Sequence, residues 1–153
     1  SVHENRYLRY LKGHRAKVVG LQVSPKEDLI LSASLDATVR LWDIRSDACA
    51  GLLKLQNDGS RPCAAFDDGG MVFAALIDGG RLALFDVKKF DIGPFVTFSF
   101  DGHDTSRATS VKFSSDGTFI LLSGGSDRVH VVGSFHGLML QVCRCSTPGV
   151  TIT

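Results

Sequence analysis

Three stretches of this 153-residue chain superpose when the sequence is shifted by forty-odd positions, and that internal repeat limits the fold more than any other feature. Gln22-Val23-Ser24-Pro25 followed by Leu29 to Ser34 matches Ala65-Phe66-Asp67-Asp68 followed by Met71 to Leu76. It matches again Lys112-Phe113-Ser114-Ser115-Asp116-Gly117 followed by Phe119 to Ser123. Each copy continues through a tight turn into another strand-like run: Leu35 to Asp43, Ile77 to Asp86, and Ser126 to Gly133. A unit of this length cannot bury its apolar face alone, so the copies must stack on one another.

Within each copy, apolar and polar residues alternate with period 2 between turn residues, which is the pattern of half-buried strands. Fourteen of the sixteen acidic residues are Asp, and there are sixteen Gly, both types that favour turns over helix interiors. Strands are expected at Arg6 to Leu11, Val18 to Val23, Leu29 to Ser34, Val39 to Asp43, Gly51 to Leu55, Cys63 to Phe66, Met71 to Leu76, Arg81 to Phe85, Phe95 to Phe100, Ser110 to Phe113, Phe119 to Ser123, Arg128 to Val132 and Leu138 to Cys143. The chain therefore reads as all-β, and four strands per unit at this period mark a β-propeller blade. About three four-stranded antiparallel blades make one partial propeller. Residues 1–12 supply the outer strand of a preceding blade, 13–55 the best-formed blade, 56–100 and 101–145 two degenerate blades, and 146–153 a tail. A closed propeller takes roughly four to eight blades, so the chain reads as part of a propeller of roughly 300 residues. Its two open blade faces are expected to be covered by self-association.

The first copy carries Gly13-His14, then Ser32-Ala33-Ser34-Leu35-Asp36, then Val39-Arg40-Leu41-Trp42-Asp43, and this set resembles the WD40 repeat. The spacing predicts a buried polar relay, a structural tetrad: Asp36 accepts from the His14 ring, His14 reaches Ser32, and Ser32 meets the indole N–H of Trp42. An Asp/His/Ser set also mimics a hydrolase triad. No oxyanion loop or Gly-x-Ser-x-Gly elbow accompanies it, so no enzyme is expected. In the other copies Phe85 replaces the Trp, Asp78 lies one residue too far from it, and Gly133 falls at the aromatic position although Ser123 and Asp127 keep the Ser-to-Asp spacing. Those blades are expected to lack the relay and to rely on packing by Phe66, Phe73, Phe85, Phe113 and Phe119.

Three longer runs carry a closer resemblance: Tyr7 to Val19, Ser34 to Ser46, and Phe90-Asp91-Ile92-Gly93-Pro94-Phe95-Val96-Thr97-Phe98. Together they resemble the small WD40-repeat subunit of COMPASS-type histone H3 lysine methyltransferase complexes. The resemblance implies a non-catalytic, nuclear scaffold whose protein partners are a SET-domain methyltransferase complex and factors of transcription termination, mRNA 3′-end formation and phosphatase control. The window from Leu31 to Arg45 also resembles the box by which some propellers dock on a cullin-RING ligase adaptor, with Asp43 and Arg45 as its contacts. A ubiquitin-ligase substrate receptor is therefore the alternative function.

Superposing the copies brings Lys17, Arg61 and Arg107 to the approach of each first strand, and with Arg15 beside Lys17 they make a candidate partner-binding rim for an acidic peptide or phosphorylated tail. Isolated surface charges are more often simply solvated. Seventeen Lys and Arg against sixteen Asp and Glu leave no field that draws nucleic acid or a membrane surface, and the longest apolar stretch, Met71 to Ile77, is far short of a membrane helix. Four cysteines make no disulfide framework, so a reducing intracellular setting is expected. Cys143 and Cys145 share a strand face, but no further ligand pair accompanies them. Buried inert thiols are expected, with no metal and no cofactor. His103 reads as a loop residue, His3, His130 and His136 carry no pattern, and Gly124-Gly125-Ser126-Asp127 is a strand-to-strand turn without the helix a phosphate loop needs.

Overall fold

The computed structural model describes residues 3, 5–7, 9–46, 48–56, 59, 61–77, 80–100, 104–124 and 127–144. Short turns leave consecutive strands no choice but to pair antiparallel with their neighbours. The first meander is β1 (Val18–Val23), β2 (Leu29–Ser34), β3 (Thr38–Asp43) and β4 (Cys49–Lys54). The second is β5 (Ala64–Phe66), β6 (Val72–Ile77), β7 (Arg81–Asp86) and β8 (Val96–Phe98), and the third is β9 (Ser110–Phe113), β10 (Phe119–Ser123), β11 (Arg128–Gly133) and β12 (Met139–Arg144). Each meander is a four-stranded sheet in sequence order, and the three sheets are the three blades. The Asp-Asp-Gly-Gly and Ser-Ser-Asp-Gly breakers close equivalent turns. Gly70 and Gly117 adopt φ +69° and +70°, and their N–H groups donate to Asp67 and Ser114 carbonyls.

Period 2 sorts each strand's residues between two faces, and the sheets stack through those faces. Leu31, Ala33, Val39 and Leu41 of blade one pack on Phe66, Phe73, Ala75, Ala83 and Phe85 of blade two. The opposite face of blade two, with Ala74, Leu76, Leu82 and Leu84, packs on Val111, Ile120, Leu122 and Val132 of blade three. Blade two is thus buried on both sides, and small residues at Ala74, Ala75 and Ala83, all fully buried, let its neighbours approach closely. The stacked rings of Phe73 and Phe85, centroids 5.0 Å apart, fill the first seam. Phe90, in a short 3-10 turn at Phe90–Ile92, crosses to blade one, where Gly51 on β4 leaves room for its ring.

Five expectations are corrected. The described residues among 6–11 form no strand: Tyr7 and Tyr10 stack on each other with centroids 5.7 Å apart, an i to i+3 contact that a strand, which sends those side chains to opposite faces, does not make. The aromatic position of blade three falls at Val132, not Gly133, because Val132 pairs with Ile120 as Trp42 pairs with Ile30 and Phe85 with Phe73. The same register puts Leu122, not Ser123, at the place of Ser32. Phe119 adds no core packing, since it lies opposite Gly133 on the outer face and is 40% exposed. Finally, burial of the thiols holds for Cys63 but not for Cys143, which is exposed on the outer strand β12; Cys145 and Asp78 lie outside the described residues.

Candidate functional site: a polar relay and a cationic seam

The relay assembles at the end of blade one where the chain approaches β1. Trp42 donates its indole N–H to Ser32 Oγ at 2.8 Å, and Ser32 Oγ lies 2.7 Å from His14 Nε2. His14 Nδ1 in turn sits 3.0 Å from Asp36 Oδ2. One proton order, assigned from the network, satisfies every atom: Trp42 donates to Ser32, Ser32 donates to Nε2, and Nδ1–H donates to Asp36. The His14 ring stands edge-on to the Trp42 indole, centroids 6.1 Å apart. Gly13 precedes His14 because a Cβ there meets Arg40 Nη1 at 2.5 Å and Trp42 Cη2 at 2.9 Å.

Asp36 is the most heavily bonded group of the set. Besides His14 it accepts from Thr38 Oγ1–H at 2.6 Å, the Arg15 N–H at 2.8 Å and the Thr38 N–H at 3.1 Å. Burial alone raises a carboxyl pKa, but these donors outweigh it and hold Asp36 well below the usual carboxylate range. Ser34, fully buried, adds a parallel clasp: its hydroxyl donates to the Ala16 carbonyl and accepts from the Asp36 N–H. Thr38 and Ser34 were not singled out from sequence, because Ser and Thr beside a turn are too common to stand out. Chemically the set is closed. Ser32 is 3% exposed with both its hydroxyl proton and its acceptor site engaged, so it presents no nucleophile to solvent.

Blades two and three carry Ala75 and Leu122 where blade one has Ser32, and no relay is possible there. A different tie replaces it at the second seam: Thr105, buried, donates its hydroxyl to the Gly80 carbonyl at 2.8 Å. Gly80, at φ +93°, lies against the Thr105 and Ser106 backbone so closely that a Cβ has no space.

The four rim cations separate. Lys17 and Arg61 converge on a cleft of about 350 Å³ between blades one and two, lined also by Val18, Val19, Leu35 and Gly59. Arg61 crosses the seam to donate from Nη2 to the Val19 carbonyl at 3.0 Å. Arg15 instead borders a recess of about 470 Å³ on the face of blade one that blade two does not cover, with Arg40, Lys54, Leu52 and Asp36 among its walls. There the Arg40 guanidinium lies 5.8 Å from the Trp42 ring centroid, and its buried Nε has no hydrogen-bond partner among the described residues. Arg107 stands apart on blade three, where its charge helps lower the Asp104 carboxyl, after the larger effect of a Ser106 hydroxyl bond.

At the opposite end of blade one, Arg45 is 74% exposed and closes on Asp43, Nε to Oδ1 3.2 Å, with Asp28 at 3.8 Å. The Arg45 N–H also donates to Asp43 Oδ1 at 2.8 Å, so the pair is a local fork. The Cys63 thiol is pushed up to about 12 by burial and is chemically quiet at neutral pH. Among the described residues no group of three or more His, Cys, Asp or Glu converges as a metal site would require.

The model of the "WD domain, G-beta repeat" family matches residues 5–43 and 95–131, and the first match contains the whole relay. The chain belongs to the WD40-repeat family. This WD40 chain is 47% identical over 141 residues to WD repeat-containing protein 82 of Drosophila melanogaster, covering 92% of the chain and 44% of that protein. It is 42% identical over 140 residues to Set1 complex component swd2 of Schizosaccharomyces pombe, covering 90% of the chain and 38% of the relative. It is 30% identical over 141 residues to COMPASS component SWD2 of Saccharomyces cerevisiae, covering 92% of the chain and 42% of the relative. The WD40 chain thus spans less than half the length of these curated relatives.

Proposed function

We propose that this chain forms part of a non-catalytic interaction scaffold, the WD40 subunit of a Set1/COMPASS-type histone H3 lysine methyltransferase complex in the nucleus. The observation that carries the reading is the similarity along nine-tenths of the chain to a protein named as a Set1 complex component. The geometry supports a scaffold over an enzyme. The Asp/His/Ser set formed by Asp36, His14 and Ser32 is spent on holding blade one together, and the three blades otherwise present strand edges, turns and a cationic seam, which are surfaces for protein partners. Links to transcription termination, mRNA 3′-end formation and polymerase phosphatase control rest on the family resemblance alone.

Affinity purification of the intact protein tests the reading. A SET-domain methyltransferase should co-purify in stoichiometric amount. Recovery of a cullin-RING adaptor in its place, lost in the Arg45→Ala variant, would transfer the chain to the ligase-receptor class and overturn the scaffold assignment.

A further inference from the structure

We propose that the cleft between blades one and two binds an acidic peptide segment of a protein partner, with a carboxylate seated between Lys17 and Arg61 and a neighbouring aliphatic side chain laid over Val18 and Leu35. The inference rests on the scaffold reading and names the partner chemistry of one site on it.

Three properties of the cleft carry it. The first is charge: Lys17 and Arg61 both line the cleft, and among the described residues none of its lining is acidic. The second is orientation. Arg61 is anchored across the seam by its Nη2 bond to the Val19 carbonyl, 42 residues away in sequence, which holds the guanidinium at the cleft. The Lys17 backbone is likewise held, its carbonyl accepting from the Leu35 N–H at 3.0 Å. A fixed donor loses less side-chain freedom when a carboxylate arrives, so more of each charge-assisted bond survives as affinity.

The third property selects a peptide over a free anion or a nucleic acid. Leu35 is 51% and Val18 44% exposed, and both border the same cleft as the cations. A carboxylate with an adjoining aliphatic side chain neutralises one wall and covers the other, whereas a phosphate or a nucleotide leaves the apolar wall in water. The volume of about 350 Å³ suits one or two side chains, which makes this a contact for a short linear segment.

The test uses a fluorescein-labelled peptide, acetyl-Gly-Leu-Glu-Glu-Leu-Gly, titrated with the intact protein and followed by anisotropy at low salt. Comparison peptides carry Gln for Glu, Gly for Leu, or phosphoserine for Glu. Saturable binding is expected with a dissociation constant on the order of 100 µM, as fits one carboxylate and one aliphatic contact. It should weaken about tenfold in Lys17→Gln, in Arg61→Gln and with the Gln peptide, and weaken with rising salt. The Gly-for-Leu peptide should also bind several-fold more weakly. Arg107→Gln, outside the cleft, should bind as the parent does.

No saturable binding overturns the proposal, as does full affinity in the Lys17→Gln/Arg61→Gln double variant or binding of the phosphoserine peptide with none of the Glu peptide. Both substituted side chains are exposed, and an unchanged urea midpoint confirms that the variants are folded. Methyltransferase recovery by the parent protein is scored separately. Peptide failure with methyltransferase recovered overturns the cleft alone, and peptide binding without methyltransferase overturns the scaffold reading alone.

Discussion

Replacing Ser32 with Ala removes a single oxygen and orphans two partners at once. The Trp42 indole N–H loses its acceptor at 2.8 Å and His14 Nε2 loses the hydroxyl at 2.7 Å. Trp42 is 1% exposed and the His14 side chain 7%, so water hardly reaches either group from outside, and the space left by one oxygen is too small to admit a molecule. A buried polar group left unpaired costs about 1–3 kcal/mol; that range for the buried Trp42 N–H and about 1 kcal/mol for the part-buried His14 give about 2–4 kcal/mol, a large share of a total stability of about 5–15 kcal/mol. In a chain of this size that lowers the melting temperature by roughly 5–15 °C. Blade two supplies the control, because it carries Ala75 and Phe85 at the equivalent positions and packs without a relay. Trp42→Phe alone costs about 1–3 kcal/mol through lost volume. In the Ser32→Ala/Trp42→Phe double variant there is no indole N–H left to orphan, so its cost should fall short of the summed single costs by about 1–2 kcal/mol. Urea unfolding with unchanged m-values measures all three. A Ser32→Ala cost below about 0.5 kcal/mol, or additivity within that margin, refutes the relay as a stabilising unit.

Four further outcomes are expected. Asp36 is ionised in the folded chain well below its ordinary value of 3.8, because bonds from Thr38, Arg15 and His14 overcome the effect of burial. Its contribution to stability is therefore complete above the unfolded-state range and lost as pH falls below it toward the folded value. Asp36→Asn should lower stability at pH 7 and flatten the acid limb, and equal acid slopes by denaturant titration at pH 3 to 7 would contradict this. Gly51→Ala drives a methyl into the Phe90 ring and should cost about 1–3 kcal/mol; adding Phe90→Ala should then cost less than it does in the parent, and an undiminished cost in that thermal series refutes the contact. Arg45→Ala removes an exposed local pair and should leave the urea midpoint unchanged, a measurable fall in the midpoint showing the fork to be structural. The 153-residue chain alone should self-associate through the open face of blade one, where Leu21 is 70%, Val23 57% and Leu52 42% exposed, and that of blade three, where Leu121 is 36% exposed; a stable monomer by light scattering refutes it.

How much of this was legible before the structure depends on whether a residue's chemistry forces its neighbours. The relay was readable because a buried His, Asp and Trp must find partners, and at Gly13-His14, Ser32, Asp36 and Trp42 few arrangements satisfy all of them. The strand pattern was readable because turn residues bracket the strands and alternation survives in those with one open face, such as β10, and the described residues among 6–11 misled because alternation alone does not make a strand. Register was harder. Ser123 and Asp127 reproduce the polar spacing of Ser32 and Asp36, yet a one-residue slip exchanges the faces of every side chain, and the apolar residues decide. Placing Ser123 where Leu122 stands would expose Ile120, Leu122 and Val132, each 0% exposed in the second seam, and would set Phe119 and Gly133 against blade two. Three buried aliphatic side chains outweigh a polar pair that has no His or Trp to complete it. The cationic seam was half readable for the opposite reason. The copies show that Lys17 and Arg61 lie at comparable strand approaches, but only the fold brings Arg61 to the Val19 carbonyl and leaves Arg15 and Arg107 elsewhere. Repeats place residues on equivalent positions of separate blades, and a shared site forms only where a side chain is long enough to cross the seam between them.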